Sequence, residues 1–137
     1  MANNDVETNL KYLIDDAELF YDQEKTDLIN RINNIRQKYN FDVVIHTTNT
    51  FNGKTVMEYA DDFYDYNGFG YGKDHDGCII VINMDSKEWY ISTCGYGITA
   101  LTDNRIDDLG DRLTPKLASG DYYDSMIIFL NQITSYL

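Results

Sequence analysis

The chain reads as an α/β domain, with a mixed sheet that contains a β-hairpin and carries helices on both faces. Three observations predict it. The run Cys78-Ile-Ile-Val-Ile-Asn83 is too apolar for a strand with one wet face, so it belongs in the middle of a sheet. An amphipathic helical pattern lies between that run and an earlier apolar one. Two strands joined by a helix make a parallel crossover, and such crossovers are right-handed in nearly all proteins. The turn Met84-Asp-Ser-Lys87 then sends the chain back through Glu88-Trp-Tyr-Ile-Ser-Thr93, which completes an antiparallel hairpin.

The elements follow in order. Residues 1–9 are polar and expected to fray, which leaves 10–137 as one domain. Asp15 or Asp16 is placed to cap a helix start, and Asp22 offers a second capping point before Glu24. Leu28, Ile32, Ile35 and Tyr39 recur at helical spacing and predict a helix over 23–38, ended by Asn40. Phe41-Asp-Val-Val-Ile-His-Thr47 reads as a buried strand. Gly53 breaks the chain. Val56, Tyr59, Ala60 and Phe63 mark one face of a second helix, which stops before Asn67-Gly68. After the hairpin, Asp103 or Asn104 starts a third helix with Ile106, Leu109, Leu113 and Leu117 on its core face. Asp121 caps a fourth, whose stripe is Tyr123, Met126, Ile127, Leu130, Ile133 and Leu137. A mixed sheet covered on both faces follows from this order.

Composition narrows the function. The 137 residues are 43% hydrophobic, as in ordinary folded domains, and suit one core. A net charge of −12 argues against nucleic acid, whose phosphates need clustered Lys and Arg, and against adsorption to anionic lipid. Most of the acids are Asp, which favours caps, turns and cation sites over helix interiors. No apolar stretch is long enough to span a bilayer, so the segment is not expected to insert in one. Cys78 and Cys94 fit no zinc-ribbon spacing. They could pair across the hairpin, although buried, unreactive thiols are the commoner outcome.

Several chemistries fail on context. Gly68-Phe-Gly70-Tyr-Gly72 follows a helix and opens a strand, the reverse of a dinucleotide fingerprint. Asp74-His-Asp76 stands before a strand, whereas an aspartyl-phosphate nucleophile ends one. An EF-hand with Gly77 at its sixth position would need carboxylates at Gly72 and Asn83. A cysteine phosphatase would need Arg where Met84 and Ala100 stand. His46 and His75 form no zinc motif; His46 fits a packed core residue and His75 an exposed one.

What survives is a group of acids around glycine turns. Asp61, Asp62, Asp65, Asp74 and Asp76 surround Tyr66-Asn-Gly-Phe-Gly-Tyr-Gly-Lys73, and Gly95-Tyr-Gly97 leads to Asp103. Carboxylates beside loops whose carbonyls can turn inward suit a hard cation such as Ca²⁺. Asp61 and Asp65 share a helix face. The antiparallel return should bring Asp103 near Asp76, and like charges so placed repel unless something neutralises them. Tyr59, Tyr64, Tyr66 and Tyr71 flank the loop, either as half-buried core or as the lining of a shallow groove.

Taken in order and spacing, these strings resemble the TPM-domain family of plant thylakoid-lumen proteins and bacterial membrane-linked proteins. The resemblance runs from about Ile14 to Leu137. It is carried by Asp15-Asp-Ala17, Phe41-Asp-Val-Val-Ile45, Tyr59-Ala60, Gly68-Phe-Gly70, Asp76-Gly77 with its apolar strand, Gly95-Tyr-Gly97 and Leu101-Thr-Asp103. It implies a Rossmann-like three-layer α/β/α sandwich. It also implies a divalent cation, usually calcium with Mg²⁺ or another divalent ion as the alternative, near Asp62, Asp65, Asp76 and Asp103. The full-length protein is then expected outside the cytoplasm or anchored at a membrane, where this module contacts a protein partner as yet unidentified. The rival expectation is a weak metal-assisted acid phosphatase acting on phosphate monoesters, with Asp76, Asp103 and Lys73 as its candidate catalytic residues. Two departures weigh on that rival. Thr99 stands where the family often has a Glu, and Tyr66-Asn67 replaces a common Trp. A site rich in acids and poor in Arg is badly equipped to stabilise a transferring phosphate.

Overall fold

The computed structural model describes residues 11–137, so the frayed segment expected at 1–9 lies outside the described residues. The chain runs β1 (Leu13–Asp15), α1 (Asp22–Tyr39), β2 (Asp42–Thr48), α2 (Val56–Tyr66), β3 (Gly77–Asn83), β4 (Glu88–Cys94), α3 (Tyr96–Ala100), α4 (Asp103–Ala118) and α5 (Tyr122–Tyr136). The sheet order is β1-β2-β3-β4. β1 and β2 pair in parallel, β2 and β3 pair in parallel, and β3 pairs antiparallel with β4. This is the mixed α/β sheet with a hairpin that the sequence predicts.

Local chemistry explains most of the boundaries. α1 begins after Tyr21, whose N–H donates to the Glu24 carboxylate at 2.9 Å. It ends where Asn40 takes a left-handed φ of 53° and its N–H donates to the Arg36 carbonyl at 3.0 Å. Thr55 caps α2, and the Glu58 side chain answers it by accepting the Thr55 N–H at 3.1 Å. All seven residues of β2 and all seven of β3 are buried, as central strands require. Pro115 sits in the last turn of α4.

Side-chain alternation sorts the layers. On β4, Ser92 donates to Asp61 of α2, whereas Trp89 packs against Gly110 of α4. Even and odd positions point to opposite faces of a strand, so α2 covers one face and α4 the other. On the α4 face α5 lies between α1 and α4, and α1 covers β1 and β2. Phe41, Ile45, Ile79, Leu109, Met126, Phe129 and Ile133 are among the large side chains fully buried between these layers.

Two elements differ from expectation. β1 replaces the helix start expected at Asp15 or Asp16. The Asp15 carboxylate anchors the loop that follows, accepting the Leu19 N–H at 2.9 Å, the Phe20 N–H at 3.0 Å and the Thr47 hydroxyl at 2.6 Å. A three-residue strand carries too little periodicity to be read locally, because its partner β2 defines it. The Gly95-Tyr-Gly97 turn also opens a short helix, α3, which the glycines hide from any propensity argument.

Candidate functional site

The glycine loop between α2 and β3 is closed on itself. Tyr71 and Asp76 exchange backbone bonds of 2.9 and 3.0 Å, and the His75 N–H reaches the Gly72 carbonyl at 3.2 Å. The Tyr64 hydroxyl donates to the His75 carbonyl at 2.9 Å, and His75 Nδ1 lies 3.0 Å from the Phe69 carbonyl. Burial pushes the Tyr64 hydroxyl pKa far above its ordinary value, in keeping with a fixed neutral donor. The carbonyls of Phe69, Tyr71, Gly72, His75 and Asp76 thus have partners within the protein. Few remain for a cation, whereas the sequence reading has loop carbonyls free to turn inward.

The exception lies where this loop meets the second glycine turn. The Asp76 carboxylate accepts the Tyr96 N–H at 2.7 Å. Gly95 has φ 58°, and a Cβ there would fall 2.2 Å from Asp76 Oδ1 and 2.7 Å from the Asp74 carbonyl oxygen. Only glycine allows the carboxylate and the carbonyl to approach the backbone this closely at a positive φ. Gly97 is as confined, since its Cβ would stand 2.2 Å from the Gly77 carbonyl. The half-buried Cys94 thiol lies at the same end of the sheet, 3.9 Å from the Asp74 carbonyl. Its pKa is raised by burial and then by the negative charges of Asp65 and Asp76. A thiol held protonated in this way is a poor nucleophile. Cys78 lies opposite Thr93 and Cys94 opposite Gly77. The one-residue offset puts the two thiols on opposite faces of the sheet, and both are free.

The structure therefore brings the Asp76 carboxylate and the Asp74 carbonyl against the Gly95 turn, while the Asp65 charge reaches the neighbouring Cys94 thiol. The other candidates have different surroundings. Asp62 pairs with Lys54 at 2.6 Å. Asp61 accepts from Ser92 and helps dock α2 on β4. Asp103 is exposed in the first turn of α4, behind the Thr102 cap. Lys73 is exposed at the tip of the glycine loop. Among the described residues, no three His, Cys, Asp or Glu side chains converge closely enough to hold a metal ion between them. The oxygen donors at Gly95 fit calcium in kind, and they stop short of a closed cage.

The tyrosines divide by role. Tyr59 and Tyr64 serve the interior, Tyr66 is 80% exposed, and Tyr71 lies under the Arg36 guanidinium at 4.7 Å. Two polar centres take roles that the sequence reading does not give them. Arg36 bonds the buried Asp42 carboxylate and stacks on Tyr12 and Tyr71, clamping α1 to the start of β2. Asp42 at the mouth of an apolar strand is the signal that pointed to it, since a buried charge needs a partner. Asp15 is the second, and nothing local to its sequence reveals the partner Thr47.

A mixed four-stranded sheet between helical layers, its hairpin entered and left through glycine turns, defines an α/β domain. The chain belongs to the TPM-domain family, whose sequence model matches residues 13–136. It is 25% identical over 93 residues to the UPF0603 protein YdjH of Bacillus subtilis (strain 168), a match that takes in 68% of this chain and 35% of YdjH. The chain thus corresponds to about a third of that relative. Among solved structures, it resembles the N-terminal domain of a P. gingivalis protein with a TM-score of 0.81 at 19% identity, over 96% of this chain and 85% of that one. The BA42 protein of Bizionia argentinensis matches with a TM-score of 0.69 at 16% identity, over 88% and 85% of the two chains. The N-terminal domain of cg2496 from Corynebacterium glutamicum matches with a TM-score of 0.71 at 14% identity, over 90% and 78%. These likenesses establish the fold. Among the described residues, no helix is long and apolar enough to cross a membrane.

Proposed function

We propose that this TPM domain is a divalent-cation binding module, with calcium as its ion, and that it works outside the cytoplasm or at a membrane by contacting another protein. One observation carries the cation reading: the Asp76 carboxylate and the Asp74 carbonyl come together against Gly95, and the charges of Asp65 and Asp76 both act on the neighbouring Cys94 thiol. Asp65 and Asp76 are the proposed direct ligands, the Asp74 carbonyl adds a third oxygen, and water completes the shell. Asp62 and Asp103 add negative charge from neighbouring elements. A site with so few protein oxygens matches the weak end of calcium affinities, Kd about 10⁻⁴ to 10⁻³ M.

Thermal unfolding in a calcium titration tests the reading. At about 10 mM calcium such affinities stabilise the fold by about 1.4 to 2.7 kcal/mol. Asp65→Asn and Asp76→Asn should each remove most of that gain, and the Asn at 76 still accepts the Tyr96 N–H. A Tm no higher in calcium chloride than in sodium chloride of equal ionic strength would sink the proposal.

The phosphatase reading uses the same acids and ranks below, because two of the arginines are committed elsewhere. Arg36 is bonded to Asp42, and Arg105 donates to the Ala100 carbonyl at 2.8 Å. Lys73 alone among the candidate residues offers a positive charge to a phosphate.

A further inference from the structure

We infer that the free edge of β4 is a strand-addition site for an extended, basic segment of a partner protein. β4 ends the sheet, and its seven residues pair with β3 in unbroken register. In an antiparallel pair every second residue turns its N–H and C=O away from its neighbour. Among the described residues, the backbone of Glu88–Cys94 has no hydrogen-bond partner beyond β3. The strand carries no proline and no bulge, the usual devices that blunt an edge. β1, at the other edge, is only three residues long.

Charge selects the occupant. On one face of β4 lies α2, whose Asp61 bonds Ser92 and whose Asp65 acts on Cys94. On the other face α4 packs Gly110 against Trp89. α5 lies on the inner side of α4, so the opposite side of that helix borders the free edge. Helical geometry puts Asp107 and Asp111 on that outer side, and both are exposed. An added strand would therefore run between two rows of carboxylates. Its side chains would alternate between those rows, so Lys or Arg at successive positions would meet acids on both faces. A second copy of this chain is a poor occupant, because it would bring the same carboxylates together in a molecule of net charge −12.

The inference rests on the partner-contact half of the reading above and is independent of the cation. It is therefore tested in EDTA, using a nine-residue peptide of repeating Lys-Lys-Thr-Thr, which presents Lys on both faces of the added strand, and the isotope-labelled full chain. Binding should shift the amide resonances of β4, slow hydrogen exchange at alternate β4 amides, and weaken with salt. The triple variant D61N/D107N/D111N, which spares Asp65 and Asp76, should bind about tenfold more weakly. A peptide of equal charge with Pro in place of Thr should lose the exchange protection, because it lacks half of the backbone donors. Equal protection by the Pro peptide, shifts located away from β4, absence of binding, or self-association through β4 would each overturn the inference. A calcium response without peptide binding would leave the cation site standing alone.

Discussion

His46 shows how one side chain can tie several elements together. Its Nδ1 lies 2.8 Å from the Ile14 carbonyl, which can only accept, so Nδ1 carries the proton. Nε2 is then the acceptor for the Tyr59 hydroxyl at 2.9 Å. The ring stacks on Phe63 with centroids 4.1 Å apart. β1, β2 and α2 thus meet at a neutral imidazole. Burial lowers its pKa below 6.5, against the opposing pull of the Ile14 bond and the Asp16 and Asp15 charges. As pH falls through about 6.5 the unfolded chain takes up this proton before the folded one does, so stability is full above that pH and declines below it, by at most about 1.4 kcal/mol per pH unit. Denaturant unfolding at pH 7.5 and 5.5 should show this loss, and His46→Gln should flatten it. An unchanged slope in the variant would assign the effect to other groups. The sequence places His46 in a packed strand. The bond to Ile14 is invisible there, because 32 residues separate the partners.

At the scale of elements, β1 depends on Asp15. Its side chain is 3% exposed and accepts from two backbone amides and a hydroxyl. Asp15→Ala leaves these three donors without their acceptor and should cost at least about 3 kcal/mol, since each stranded buried donor costs about 1 to 3 kcal/mol. Hydrogen exchange should speed up at Leu19, Phe20 and the β1–β2 ladder before other regions. Uniform acceleration across the sheet would mean that β1 does not open separately. The helices and the hairpin were legible because their patterns repeat over several turns or alternate along a long strand. α1 differs from its predicted bounds of 23–38 by one residue at each end. β1 and α3 were not legible. The first is too short to show a period, and the second opens on a glycine turn that reads as a break.

Across the whole molecule, charge is the largest unbalanced quantity. A net charge of −12 makes the compact state repel itself. Sodium chloride should therefore raise Tm between low and physiological ionic strength, as the Debye length falls from about 30 Å at 0.01 M to about 8 Å at 0.15 M. The rise should level off above that range. A fall in Tm with salt would mean that attractive pairs such as Lys54–Asp62 and Arg36–Asp42 outweigh the repulsion. This monovalent response is also the baseline that any specific calcium effect must exceed. The same excess of acid sets the character of the β4 edge, keeping like chains apart while leaving a path for a basic one.

The sequence by itself determined the α/β class, the central place of Cys78–Asn83, the parallel crossover, the hairpin and the family. Each of these is written in local periodicity or in the order of short motifs, and burial enforces both. Only the tertiary structure decided which acids share surroundings. Asp62, Asp65, Asp76 and Asp103 look equivalent along the chain, yet Asp62 turns to Lys54, Asp103 opens α4 and Asp76 packs against Gly95, while Asp65 acts on the Cys94 thiol. Such choices depend on where distant segments come to rest, and a side chain's neighbours across a sheet leave no mark on the residues beside it.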